Sequence, residues 1–336
     1  MLKKILLYLG LMIFFISLIG CKDINKSKGK IGVSLAVGNA ARWEQEKEYM
    51  QKRADELGVE IEIKLNTKNE SKTQEKDCFE LINSGIDVLI ITPRNGNDMS
   101  KIIKYAEKNK VKIISYARII LKEKIDLHIG YDSKRMGQMQ GQYLAEKVYR
   151  GNYIILKGDE NDDNANLLYE GALRYIEPIK NDINIILDTS ISNWSPKVAK
   201  ELVMSAIKAN NNEIDAILAP NDKIAEGCAE ALEELNIKKN VAITGMDAEL
   251  SAIRRILNEK QDVTIYMDLK ELADTAIDEA FNMIQNKPVN INAEYDNKSG
   301  KKIASHLITG RLVTKQNIDR ILIENKVFTK EEIYNE

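Results

Sequence analysis

Histidine is almost missing from this chain: His128 and His306 are the two in 336 residues. Neither has a cysteine, an aspartate or a second histidine at ligand spacing, which argues against a zinc site. Cysteine is scarce as well. Of the three, Cys78 and Cys228 fall on predicted helices in different halves of the chain, so buried free thiols are expected rather than a disulfide. No basic surplus exists: the net charge is −2, with Lys and Arg scattered among Asp and Glu. That removes the basic face a nucleic-acid partner requires. No Gly-rich dinucleotide fingerprint follows the first strand, and no phosphate loop ending in Gly-Lys-Ser/Thr occurs. A Gly-x-Ser-x-Gly nucleophile elbow is also lacking. Paired acids occur without a nearby histidine, so no acid–base couple stands out, and neither an enzyme nor a bound cofactor is expected. What remains is globular in composition, 44% hydrophobic and 30% charged. The length suits two domains of roughly 150 residues each.

There is one long apolar run. Lys3 and Lys4 precede Ile5 to Ile19, followed by Gly20 and Cys21. Fifteen helical residues span about 22 Å, short of the ~30 Å hydrocarbon core. A cleaved signal over 1–20 therefore fits better than a membrane-spanning helix. The tail Leu18-Ile19-Gly20-Cys21 resembles a bacterial lipobox, in which the cysteine is lipidated and becomes the mature N-terminus. The polar stretch 21–29 then serves as a tether holding a domain off the outer face of a membrane.

From Lys30 the pattern alternates. Lys30–Leu35 reads as an apolar strand. Ala41–Leu57 reads as a helix with Trp43, Met50, Ala54 and Leu57 on one face and Gly58 closing it. Strands at Val59–Lys64, Ile86–Thr92 and Ile113–Arg118 follow, the last ending on its arginine, with helices at Lys72–Asn83 and Met99–Asn109 between them. After a strand at Leu127–Tyr131 the alternation restarts with helix Ser133–Tyr149 and runs to strand Asp262–Tyr266. Helix Leu269–Gln285 opens on the capping pattern Asp268-x-x-Glu271. Past Pro288 the pattern is less regular. Such alternation means right-handed crossovers and parallel sheets. A faint echo between 86–93 (IDVLIITP) and 214–220 (IDAILAP) agrees with two similar α/β lobes.

In open parallel sheets ligands lie beyond the carboxyl ends of the strands. The residues gathered there are Arg42 with Trp43, Arg118, Asp162 with Asn164, Trp194, Asn221 and Asp247. Planar polar groups pair with adjacent sugar hydroxyls, and indoles cover the apolar faces of the ring. Singly, each is equally readable as a surface charge or a core tryptophan. A calcium loop is the competing reading for one segment. Asp159, Asn161, Asp163 and Glu170 stand at positions one, three, five and twelve of such a loop, but Asn164 takes the place of the glycine. A polar strand-to-helix loop serving another ligand is expected there instead.

From Lys30 to about Phe328 the chain resembles the D-xylose-binding proteins of bacterial ABC sugar transport. The matching stretches are KIGVSL and ARW (30–43), SGIDVLIITPRNG (84–96), SYAR (115–118), DDNANL (162–167), ANNNEIDAILAPND (209–222), ITGMDAEL (243–250) and SHLITGRLVTKQNI (305–318). The resemblance implies a type I periplasmic-binding fold, α/β, with two Rossmann-like lobes on parallel sheets joined by a hinge. It places 30–132 plus about 266–292 in the first lobe and 133–265 plus about 293–336 in the second. The family's sugar contacts fall on Arg42, Trp43, Arg118, Asp162, Asn164, Trp194, Asn221 and Asp247. Two positions depart from the pattern. Ala117 replaces an aspartate before the strand-ending arginine, and Met267 replaces a lysine before the long helix. One charge of each sign is lost together, so the pocket stays neutral. D-xylose is the expected ligand, with ribose, arabinose or galactose as alternatives. An ABC permease or a membrane sensor histidine kinase is the expected partner. A transcription repressor shares the fold but needs a helix-turn-helix where the apolar run stands.

Overall fold

The structure, a computed structural model, describes residues 28–35, 41–66, 70–160 and 162–335. The apolar run, Cys21, Asn161 and most of the tether lie outside them. Among the described residues no helix is long and apolar enough to cross a membrane.

The first lobe alternates β1 (Lys30–Leu35), α1 (Ala41–Leu57), β2 (Glu60–Leu65), α2 (Ser71–Asn83), β3 (Val88–Thr92), α3 (Ser100–Lys108), β4 (Lys112–Tyr116) and β5 (Leu127–Tyr131). β1 and β3 are apolar and buried along nearly their whole length, as strands covered on both faces must be. The second lobe repeats the plan. It runs α4 (Ser133–Lys147), β6 (Gly151–Lys157), α5 (Asp163–Ile176), β7 (Ile183–Ser190), α6 (Pro196–Ala209) and β8 (Ala216–Leu218). α7 (Asp222–Glu234), β9 (Ala242–Ile243), α8 (Leu250–Leu257) and β10 (Val263–Tyr266) complete the run. The chain then returns to the first lobe through α9 (Leu269–Ile284), which packs on α1. It ends with β11 (Ala293–Asp296), β12 (Lys302–Ile308), β13 (Arg311–Thr314) and a short α10 (Lys330–Tyr334).

The larger sheet has the order β11-β12-β5-β4-β3-β1-β2, and the smaller has β7-β6-β8-β9. The shared order β2-β1-β3-β4 and β7-β6-β8-β9 makes the lobes topological copies, and the echo falls on the equivalent inner strands β3 and β8. All pairs within these sheets are parallel except β11–β12.

The tail departs from expectation. The stretch from about 293 is expected in the second lobe, yet β12 pairs in parallel with β5, Ser305 opposite His128, and carries β11 at the edge of the first sheet. Only at β13, antiparallel to β10, does the chain rejoin the second lobe. β12 alternates buried and accessible positions only over its first five residues, and β11 is a four-residue half-exposed edge. So weak a period-two signal makes the sequence past Pro288 look irregular. Three crossings therefore join the lobes, at 131–133, 266–269 and 308–311.

Cys78 and Cys228 are both buried free thiols, one in each lobe. Burial pushes each thiol up to about 12.

Candidate ligand-binding cleft

Every candidate residue lies where a strand of one lobe ends facing the other. Arg42 and Trp43 occupy the first turn of α1. Residues Trp43, Glu46, Met50 and Ala54 form its buried stripe. Glu46 is the exception in that apolar row: a fully buried carboxylate whose Oε1 accepts from Arg42 Nε at 2.7 Å. The pairing holds the guanidinium across the Trp43 ring, 4.7 Å from its centroid, and 5.9 Å from that of Tyr131. Burial opposes the Arg42 charge, but Glu46, Tyr131 and Asp247 outweigh it and hold the group above its ordinary range.

The strand expected to end on Arg118 stops at Tyr116, because Ala117 turns to φ 59°, and Arg118 follows β4 by two residues. Burial lowers its pKa, Arg42 and Arg94 add to that, and Asp162 across the cleft opposes it. Asp162 is the N-cap of α5 and accepts from Asn164 N at 3.0 Å. Burial raises its carboxyl, against the pull of Arg118 and the Asn164 amide. The Asn164 side chain accepts from Ser133 Oγ at 3.0 Å, beside the first crossing, and its Nδ2 reaches toward the Ala117 carbonyl at 3.5 Å.

Asn221 caps α7, its Oδ1 taking the Ile224 amide at 3.0 Å, and its side chain also bonds Asp247. Asp247 follows β9 with φ 105°, and its amide donates to the Ile265 carbonyl at 2.9 Å. Burial lifts its carboxyl to about 7, with Arg42 and Asn221 pulling the other way. Behind it lies Asp222, fully buried and raised by burial to about 8. Gln261, Thr264 and the Glu249 amide all donate to its carboxylate, at 2.8, 2.9 and 3.0 Å.

Trp194 ends the turn between β7 and α6, where Asn193 and Trp194 both have φ 54°. Its ring lies over Gly158 at the end of β6. A Cβ on that glycine would stand 2.1 Å from Cη2 of the indole. The ring packs against the second lobe's core and also against the cluster holding Trp43, Tyr131 and Met267 of the first. Met136, Leu168 and Met246 of the second lobe belong to that same cluster, so apolar contact is continuous between the lobes.

The structure thus brings all eight candidates into one inter-lobe region. Arginines project from the first lobe and aspartates from the second, opposite charges that attract across the gap in a medium drier than water. The structure also adds residues missing from the expected set. Glu46 has the clearest sequence signal, an acid on the apolar stripe four residues after Arg42. Beneath Arg42, the Glu46 carboxylate and the hydroxyls of Tyr116 and Tyr131 are buried together, with Tyr116 beside Glu46 and Tyr131 beside Arg42. They are polar capacity in a region that otherwise turns apolar at Met267, which is buried.

The carboxylates with calcium spacing go to separate partners. Asp159 Oδ2 accepts from Asn193 N at 2.6 Å, Asp163 from Tyr295, and Glu170 from Lys134. Among the described residues no cluster of three or more metal-ligating side chains forms. A surface groove of about 550 Å³ between α7 and α8 holds none of the eight candidates. Its acids Glu226, Glu230 and Glu233 already pair with Lys223, Lys200 and Lys260.

Two α/β lobes of one topology, crossed three times and facing each other over strand-end guanidiniums, carboxylates and indoles, form a two-lobed receptor for a small polar molecule. The chain belongs to the periplasmic binding protein family, whose domain matches residues 31–288. It is 32% identical over 306 residues to the D-xylose-binding periplasmic protein of Escherichia coli (strain K12), covering 90% of this chain and 92% of that protein. Identity to the D-xylose-binding periplasmic protein of Haemophilus influenzae is 30% over 335 residues, 99% of each chain. A carbohydrate transporter solute binding protein from Chloroflexus aurantiacus, solved with D-glucose, superposes with a TM-score of 0.81. It is 26% identical, covering 91% of this chain and 98% of that one.

Proposed function

We propose that this protein captures a monosaccharide, D-xylose first among them, on the outer side of a bacterial membrane. The observation that carries this is the pairing of Arg42 and Arg118 on one lobe with Asp162 and Asp247 on the other, Trp43 and Trp194 flanking them. A ring bridging the lobes bonds both charge sets through its hydroxyls. It favours closure by as much as its affinity for the closed form exceeds that for the open form. The closed form is handed to an ABC permease, in keeping with the likeness to a carbohydrate transporter solute binding protein. Anchoring through Cys21 is part of the proposal, and membrane fractionation of a Cys21→Ser variant tests it.

Ala117 and Met267 make this pocket its own. Ala117 has φ 59°, a backbone that aspartate tolerates better than alanine. Where the family resemblance implies a buried Asp and Lys, this chain presents a methyl and a thioether, so D-xylose binds with lower affinity than in relatives keeping both. Restoring the pair, Ala117→Asp with Met267→Lys, tightens binding, while Ala117→Asp by itself does not, because the new charge is uncompensated. Calorimetry with D-xylose, D-ribose, L-arabinose and D-glucose decides. Heat with another sugar but none with D-xylose overturns the xylose assignment, and no heat with any overturns the sugar reading.

A further inference from the structure

Between the two candidate ligand residues of α5, Asp162 and Asn164, Asp163 faces away from the cleft residues and toward the first lobe. Its Oδ2 accepts from the Tyr295 hydroxyl at 2.8 Å, and its Oδ1 lies 3.6 Å from Lys298 Nζ. Tyr295 stands on β11, in the first lobe's sheet, and Lys298 lies in the turn that joins β11 to β12. The contact therefore crosses from lobe to lobe without being one of the three chain crossings. Tyr295 pairs with Ile303, five residues and about 16 Å of extended chain before the crossing at 308–311. The Tyr295 ring is also fixed from below. It meets His128 edge-on at 5.3 Å, and His128 is buried and bonded to Ser115 Oγ at 2.8 Å. Ser115 lies on β4, three residues before Arg118. One tyrosine thus links the strand pair that ends in Arg118 to the helix turn that presents Asp162 and Asn164.

We propose that Tyr295 is a positioning residue: its bond to Asp163 is a lobe–lobe tie, outside the ligand site, that holds the α5 turn in register with Arg118 and biases the lobes toward closure. It touches no ligand. It acts by adding a charge-assisted hydrogen bond to the closed arrangement, which rotation of the lobes breaks. Solvent-exposed Lys298 adds a screened ion pair and contributes little. This rests on the cleft being the binding site, and the test keeps the two claims apart.

Tyr295→Phe deletes one oxygen and keeps the ring on His128. D-xylose is the probe, or whichever sugar of the calorimetric set binds. Its dissociation constant rises about tenfold, the value of one hydrogen bond to a charged acceptor. The change lies in the dissociation rate, with association nearly unchanged. Asp163→Asn retains an acceptor oxygen and loses less, while Lys298→Ala stays within about twofold. Small-angle scattering without sugar gives a larger radius of gyration for Tyr295→Phe than for the natural chain. An unchanged affinity together with identical ligand-free scattering overturns the tie. If no sugar binds the natural chain, the binding reading fails, and the ligand-free scattering difference still decides the tie.

Discussion

Gly158→Ala adds a single methyl group at the point where the second lobe supports Trp194. An ideal Cβ there would stand 2.1, 2.2 and 2.5 Å from Cη2, Cζ2 and Cζ3 of the indole. Ordinary carbon contacts begin near 3.5 Å, so the ring must retreat by about 1 Å or more. It cannot simply swing on its backbone, because Asn193 and Trp194 both sit at φ 54° and the ring is wedged between the cores of the two lobes. Overpacking of this kind costs about 1–3 kcal/mol of stability. A well-placed aromatic contact is worth about 0.5–1.5 kcal/mol, so losing it weakens sugar binding roughly two- to tenfold. The assay is intrinsic fluorescence, which this chain suits because Trp43 and Trp194 are its two tryptophans. A Trp194→Phe variant assigns the emission. Gly158→Ala should shift the ligand-free spectrum, reduce the sugar-induced change and raise the dissociation constant. If the variant titrates with the amplitude and midpoint of the natural protein, Trp194 does not cover the ligand and the reasoning is refuted.

Glu46→Ala leaves the Arg42 guanidinium without its buried partner, which costs about 3 kcal/mol in urea unfolding, the low end of the range because Arg42 keeps 29% exposure. Glu46→Gln keeps an acceptor and loses clearly less; equal losses would show that the pairing does not matter. Asp222 supplies the pH signature. Its folded value of about 8 lies above its ordinary 3.8, so its contribution to stability is complete below about pH 4 and is lost as pH rises toward 8. Between about pH 7 and 8 the natural protein should lose stability at up to ~1.4 kcal/mol per pH unit, and Asp222→Asn should flatten that slope. Urea midpoints at the two pH values are the measurement, and parallel slopes in the two proteins would count against a protonated Asp222.

Most of the alternation of strands and helices was readable from apolar runs and period-3.6 stripes, because burial on both faces of a parallel sheet leaves that mark. The eight candidate residues were likewise legible as polar or aromatic residues at strand ends. Glu46 showed as an acid out of place on an apolar stripe, though its partner could be inferred only from helix spacing. Residues 293–308 were different. β11 is a short, half-exposed edge strand and β12 lies just inside it, and nothing in their composition says which of two similar sheets they extend. That choice depends on register with β5, whose His128 lies 177 positions before its partner Ser305.

By itself, then, the sequence determined two α/β lobes and the residues at their facing ends, because local periodicity and strand-end chemistry are written in neighbouring positions. The tertiary structure decided what those residues meet: Glu46 under Arg42, Asp222 behind Asp247, Trp194 on Gly158 and Tyr295 on Asp163. Each of these depends on residues that only packing or helix geometry brings together, and the Tyr295–Asp163 pair spans 132 positions. Hydrogen bonding and close packing act over a few ångströms of space, a distance that sequence separation does not encode.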